Sequence, residues 1–233
     1  MVEAMKRTGK LLGVRRKEMR FSGESRAPDE LGEDDELPHE IDLLRLREQL
    51  NARRVAGEID PFAVHGRMLS KPLIIAVQGR CYTLGTELSL AADIVVAASD
   101  TRFAQLEVKR GIFPFGGATI RMAKTAGWGN AMRYLLTGDE FSVEDGYRFG
   151  LVQEITEPGK QFEVALKIAE KIAAQAPLAV QATLSLAKTA TYDGFAAGVR
   201  EIMPKLMKVM KSEDAAEGVR SLIERRQANF KGR

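Results

Sequence analysis

Apolar and polar positions along this chain fall into blocks of two periods. PLIIAVQG and DIVVAA are short continuous apolar runs, the first opened by Pro72 and closed by Gly79. Runs of that length and boundary predict buried strands. Between them LGTELSLAA predicts a short helix, and ASDTRFAQLEV a turn leading to a short strand. GIFPFGGATIRM is punctuated by glycines, which suits sharp turns and close backbone approach, and a helix follows it. SVEDGYRFG has Ser142 and Asp145 in capping-box spacing and a stop at Gly150. KQFEVALKIAEKIAAQAP is apolar at 162, 165, 169, 172 and 176, a helical spacing ended by Pro177. PLAVQATLSLAKTA and a long helical region come next, with Ser212 as an N-cap before EDAAEGVRSLIERRQANF. Strands and helices alternate as far as residue 156 and the tail is all helix, so the fold class is α/β.

Upstream of Pro72 the pattern weakens. IDLLRLREQLNARR is apolar at 43, 46 and 50 among arginines, a helical spacing with a solvated opposite face. VAGEIDPFAVHGRMLSK reads as a loop followed by a short helix. Before Ile41 charge replaces hydrophobicity. Residues 1–20 hold seven Lys/Arg against two Glu, a net of +5, and residues 21–42 hold one Arg against nine Asp/Glu, a net of −8. Blocks of like charge with so few apolar residues stay solvated. Three regions are therefore expected: a poorly packed charged arm over 1–37, an α/β core over 38–176 and a helical region over 177–233.

Composition narrows the function classes. With 45% hydrophobic and 29% charged residues the chain can bury a sizeable core. Its net charge of +3 is too small at 233 residues to imply nucleic acid. The basic residues 6–17 lack the interleaved aromatics of a strand-binding surface and read as a solvated face. One cysteine, Cys81, excludes an internal disulfide framework and a multi-cysteine zinc site, and fits a reducing, cytoplasmic compartment. Without a basic neighbour, Cys81 reads as a packing residue. No apolar run reaches the ~18 residues of a membrane helix, and no secretory h-region opens the chain.

The chemistry centres on Glu87, one turn into a helix that follows a buried strand and a glycine turn. The backbone N–H groups of such a helix start lack partners and carry the positive end of the helix dipole. They can hold an anion or a developing oxyanion. On local pattern alone, Glu87 reads more readily as an ordinary first-turn glutamate complementing that dipole. A second carboxylate, Glu107, lies 20 residues on, before the glycine-rich turn. Two such carboxylates brought together can share a water, one as base and one as acid. Among 32 acidic residues, however, a spacing of 20 is not by itself a signature.

The order of the whole stretch is more specific. KPLIIAVQG, GRCYTLGTEL, AADIVVAASDTRFAQLEVKRGIFPFGG and LLTGDEFSVEDGYRFGLVQEI follow one another without a gap, and the chain closes on EGVRSLIERRQANFKGR. From about Lys71 to Arg233, roughly 70% of its length, it resembles the enoyl-CoA hydratase/isomerase (crotonase) family. The resemblance implies a spiral of β-β-α units with C-terminal helices that assemble a homotrimer or a dimer of trimers. It also implies an acyl-CoA thioester as substrate, and no metal or redox cofactor, since CoA enters with the substrate. The family's two catalytic glutamates fall on Glu87 and Glu107. In its hydratases they hold the water that adds across the C2–C3 double bond of a 2-enoyl-CoA.

One oxyanion N–H falls on Leu84, where most relatives have glycine. Phe115 and Gly116 fall on the turn lining the substrate, with Phe115 again in place of a glycine. Phe230 and Lys231 match residues that cover the CoA of a neighbouring subunit. The other oxyanion segment, AGxDL in relatives, matches HEIDL at residues 39–43, which puts the second donor at the N–H of Glu40. A negative side chain there opposes a forming enolate. His39 and His65 read as surface or loop histidines. The implied activity is hydration of a 2-enoyl-CoA to a 3-hydroxyacyl-CoA. The alternatives are a catalytically weak or inactive binding and assembly protein, or another reaction of the family: isomerisation, decarboxylation or thioester hydrolysis.

Overall fold

The computed structural model describes residues 59–64 and 66–233. The charged arm, the 41–54 helical pattern, Glu40, His39 and His65 lie outside the described residues. The first apolar run forms β1 (Ile74–Val77) and the second forms β3 (Ile94–Ala98). They pair in parallel, Ile74 opposite Ile94 and Val77 opposite Ala97, and β6 (Glu154–Thr156) joins the far side of β3. A strand of a parallel sheet covered on both faces needs no polar alternation, and β3 has none. Val95, Val96, Ala97 and Ala98 are all buried.

Gly79 turns the chain at φ 64° into β2 (Arg80–Tyr82), which opens a second three-stranded sheet with β4 (Arg102–Ala104) and β5 (Phe141–Ser142). β2 is followed by α1 (Leu84–Ala91), and β4 by a 3-10 turn over Glu107–Arg110 and then α2 (Ala118–Ala126). β1 thus feeds β2 and then α1, and β3 feeds β4, the 3-10 turn and α2, so the β-β-α unit is repeated. Next come α3 (Trp128–Thr137), α4 (Val143–Arg148) and α5 (Gln161–Ala173). Ser142 caps α4 by accepting the Asp145 amide at 3.1 Å, the bond its spacing predicts.

The core between these elements is aromatic at its centre. Phe103, Tyr134, Phe141 and Phe149 pack with ring centroids 4.9 to 6.0 Å apart, surrounded by Val95, Met122, Leu135 and Val152. The C-terminal elements are α6 (Pro177–Tyr192), α7 (Phe195–Met210) and α8 (Glu213–Ile223). α6 and α7 pack so closely that a Cβ on Gly198 would lie 2.7 Å from that of Ala190. No described helix is long and apolar enough to cross a membrane.

One expectation fails. The short helix expected before Lys71 is absent from the described residues of that stretch. Asp60 accepts the amides of Phe62 at 2.9 Å and Val64 at 2.7 Å, and Ala63 takes φ 53°. A side chain that satisfies these amides locally offers the backbone an alternative to a helical turn.

Candidate active site

Two carboxylates remote in sequence are buried where the two repeats meet. Glu87, on the fourth residue of α1, is 0% exposed, and Glu107, which opens the 3-10 turn, is 7% exposed. Local geometry explains both positions. The chain enters α1 through Thr83 at φ 49° and ψ −114°, a conformation that a β-branched residue rarely takes. Such strain persists only where the surroundings over-determine it. Here the Thr83 amide donates to the carbonyl of Ala104 at 2.8 Å, and its carbonyl accepts the Glu87 amide at 2.9 Å. Thr86 fastens the same turn by donating its hydroxyl to the carbonyl of Cys81 at 2.6 Å. The start of α1 is thereby tied to β2 and β4.

The amides of Leu84, Gly85 and Thr86 precede the first intrahelical bond, so the helix supplies them no acceptor. The Leu84 side chain is exposed and takes no part in the core. Gly111, at φ 75°, caps the 3-10 turn and sends the chain into Pro114–Ala118, which returns to Glu87. There the Ala118 amide donates to Glu87 Oε1 at 3.1 Å. A Cβ at Gly116 would lie 2.4 Å from Glu87 Oε2, so this position closes on the carboxylate too tightly for any side chain. Phe115, its neighbour, is exposed. Glu87 Oε2 is buried and has no hydrogen-bond partner of good geometry among the described residues, although the amides of Gly116 and Gly117 lie close to the carboxylate.

Both carboxyls titrate above the ordinary carboxylate range. Burial is the main cause for Glu87, opposed by the amides of Ala118, Gly116 and Gly117 and by the nearby charge of Arg121. Burial again leads for Glu107, opposed by its own amide, and the charge of Glu87 pushes it further up. The two groups are thus close enough to feel each other. Desolvated carboxyls raised towards neutrality are suited to moving protons.

Two residues of this site are not singled out by the sequence pattern. Gln105 is fully buried, and its amide, with the nitrogen facing Glu107, donates to Oε2 at 2.8 Å and Oε1 at 3.2 Å. Arg121 is buried beside the Gly116–Ala118 turn. A buried polar residue at the end of a short strand and a lone arginine on the inner face of a helix were the available signals. Cys81 packs against α1, and burial pushes its thiol up to about 11. Phe230 and Lys231 sit elsewhere. Their partners are Gly218 and Asp214 on α8, and the structure does not bring them to the glutamates.

A repeated β-β-α unit with two buried glutamates beside a helix start defines the crotonase class of fold. Residues 51–233 match the family described as enoyl-CoA hydratase/isomerase, and the chain belongs to that family. It is 32% identical over 164 residues to the 2,3-dehydroadipyl-CoA hydratase of Escherichia coli, covering 70% of this chain and 64% of that one. It is 36% identical over 179 residues to an enoyl-CoA hydratase of Mycobacterium tuberculosis, covering 72% and 63%. The chain therefore spans a little under two thirds of the length of these curated relatives. Among solved structures, a probable enoyl-CoA hydratase/isomerase from Mycobacterium abscessus superposes with a TM-score of 0.76 at 50% identity, covering 82% of this chain and 75% of that one. An enoyl-CoA hydratase from Mycobacterium tuberculosis superposes with a TM-score of 0.68 at 40% identity, covering 70% and 65%.

Proposed function

We propose that the chain binds an acyl-CoA thioester and hydrates a 2-enoyl-CoA to a 3-hydroxyacyl-CoA. The observation that carries this reading is the convergence of Glu87 and Glu107 in a desolvated site, with Glu87 Oε2 left without a hydrogen-bond partner of good geometry among the described residues. A buried acceptor in that state needs a donor from solvent or substrate, and a water shared with Glu107 supplies one. The environments of the two carboxyls then divide the work. Glu87, which accepts the Ala118 amide and lies near the charge of Arg121, takes a proton from the water as the water oxygen bonds to C3. Glu107, which has no cation among its partners in the described residues and is raised further by the charge of Glu87, delivers a proton to C2. The electron pair displaced from the C2–C3 bond rests meanwhile on the thioester oxygen as an enolate.

The Leu84 N–H at the start of α1 donates to that oxygen, and the N–H of Glu40 is the proposed second donor. Removing one such donor costs about 10²–10³ in rate in enzymes that rely on two. Phe115 and Gly116 line the same turn. CoA arrives with the substrate, so the reaction as proposed uses no metal or redox cofactor. The C-terminal helices assemble a homotrimer or dimer of trimers, and Phe230 and Lys231 act on the CoA of a neighbouring subunit.

The test is the loss of enoyl-thioester absorbance with crotonyl-CoA and one longer 2-enoyl-CoA. Turnover of about 1–10³ per second is expected, falling by about 10²–10⁴ in Glu107→Gln and in Glu87→Gln. Measurable CoA-ester binding without turnover would favour the inactive binding and assembly reading instead. Unchanged turnover in both variants would remove the glutamates from the mechanism. Identification of the product separates hydration from isomerisation, decarboxylation and thioester hydrolysis.

A further inference from the structure

The glycine pair 116–117 is pressed from two sides. A Cβ on Gly116 would meet the carboxylate of Glu87, and a Cβ on Gly117 would lie 2.0 Å from Nη1 of Arg121. The turn is a backbone wafer between an acid and a guanidinium. Arg121 is 8% exposed, and its protein contacts are sparse for a buried cation. Nη2 donates to the carbonyl of Ala63 at 3.3 Å, Nη1 reaches that of Gly116 at 3.5 Å, and Nε has no partner. No carboxylate bridges to it among the described ion pairs. Two weak bonds to neutral carbonyls do not compensate the removal of a guanidinium from water. The charge that accounts for its burial is Glu87, across the turn.

Resting on the hydratase reading, we infer that Arg121 is a positioning residue for the reaction. It braces the Gly116–Ala118 turn whose amides hold Glu87, and it supplies the counter-charge to that carboxylate without touching substrate. The bracing is local, because Arg121 binds the Gly116 carbonyl while the Ala118 amide binds Glu87. The counter-charge acts over a longer range through a medium of low polarity, where a unit charge is felt several ångströms away. Among the described residues the charged groups facing Glu87 are Glu107, from the 3-10 turn, and Arg121, from α2. β2 presents only Cys81 to α1, towards Gly85 and Ser89, as a neutral thiol.

The variants that separate these roles are Arg121→Gln, which removes the charge, and Arg121→Lys, which keeps charge but loses the fork. The readouts are kcat and KM as functions of pH, and the titration of the Glu87 carboxyl by carbon NMR, assigned by difference against Glu87→Gln. In Arg121→Gln, kcat is expected to fall by about 10–100-fold, with KM for the CoA ester changed by less than about threefold. The acid limb of kcat should move up by about one pH unit, because the ionised form of Glu87 loses a favourable charge. Arg121→Lys should return the limb to its wild-type position while recovering only part of kcat.

A folded Arg121→Gln protein with an unmoved limb and an unmoved Glu87 titration would overturn the inference, whatever happened to kcat. If Arg121→Gln does not fold, Arg121→Lys decides, since a wild-type limb with reduced kcat is then required. The NMR titration needs no turnover. Loss of the hydratase reading would therefore show as wild-type inactivity, with the Arg121 effect on Glu87 still measurable.

Discussion

Glu87 and Glu107 are costly residues for the fold that carries them. A carboxyl whose range in the folded state lies above its unfolded value favours the fold when protonated. That contribution is full below the ordinary carboxylate range and is lost as pH rises through the raised folded value. At neutral pH both groups therefore work against stability. Replacing either by the neutral isostere, Glu87→Gln or Glu107→Gln, should raise the melting temperature at pH 7, by about 2–4 °C for each kcal/mol relieved in a chain of this size. The gain should vanish as pH falls below the ordinary carboxylate range, which thermal melts across pH 4–8 would show. A melting temperature lowered at pH 7 would mean that the ionised carboxylates are net stabilising and that burial is not the dominant influence. Gln105 makes a complementary case. Its amide spans both oxygens of Glu107, so Gln105→Met should lower kcat about tenfold through misalignment while leaving KM nearly constant. A rise in KM with constant kcat would place Gln105 in substrate binding instead.

Elements rather than single residues decide how much of this could be read in advance. The two continuous apolar runs became β1 and β3, and the Ser142 cap marks the start of α4, because strand burial and capping are written in short windows of sequence. Side-chain contacts made across a tight turn are not. Gln105 meets Glu107 only because the chain turns at Leu106, and Arg121 matters only once α2 is folded against the Gly116–Gly117 turn. The expected helix before Lys71 fails for the opposite reason, since Asp60 outbids the helix for two amides within four residues. The C-terminal segment shows the same logic. Asp214, buried at the start of α8, accepts the amides of Lys231 at 2.6 Å and Gly232 at 2.7 Å. Glu217 accepts two bonds from Arg226 and one from the Asn229 amide, and these hold its carboxyl down to about 2. The segment 226–233 is thus strapped along α8 by groups a helical period does not reveal. Removing Asp214 by Asp214→Ala should speed amide exchange across that strap about tenfold or more, since each bond to a charged acceptor is worth about 1.5–3 kcal/mol. Exchange in α5 should be unaffected. Equal protection of the strap in both proteins would assign its order to Arg226 and Glu217 alone. The depressed Glu217 carboxyl favours the fold above the ordinary carboxylate range, a contribution lost as pH falls towards about 2.

Among the described residues, two helices carry apolar faces that stay exposed. Along α7, Phe195, Val199, Ile202, Leu206 and Met210 recur at helical spacing, and all five are exposed, Phe195 at 83%. An apolar stripe of this kind normally faces a core. A neighbouring side of α7, bearing Gly198, Glu201 and Lys205, already packs on α6, so the stripe cannot turn inward without breaking those contacts. On α8, Val219, Leu222 and Ile223 repeat the pattern, with Leu222 exposed at 80%. Isolated apolar residues on a surface are ordinary, but apolar residues recurring along one face of each of two helices are the kind of surface that marks an interaction site. Self-association, proposed above as a trimer or dimer of trimers, would remove such surface from water. Light scattering on the purified chain should then give a mass near a multiple of three times the 25.7 kDa subunit. Phe195→Glu and Leu222→Glu should shift it towards the monomer, because each puts a charge into a surface that must desolvate to associate. The same variants should keep the helix content of the folded subunit, since neither side chain contributes to the core. If they lower turnover in step with dissociation, the assembly contributes to the active site, as the proposed action of Phe230 and Lys231 on a neighbour's CoA requires. If wild-type protein is a monomer at micromolar concentration, the stripes must be covered by something other than a second copy, and the trimer proposal fails with them.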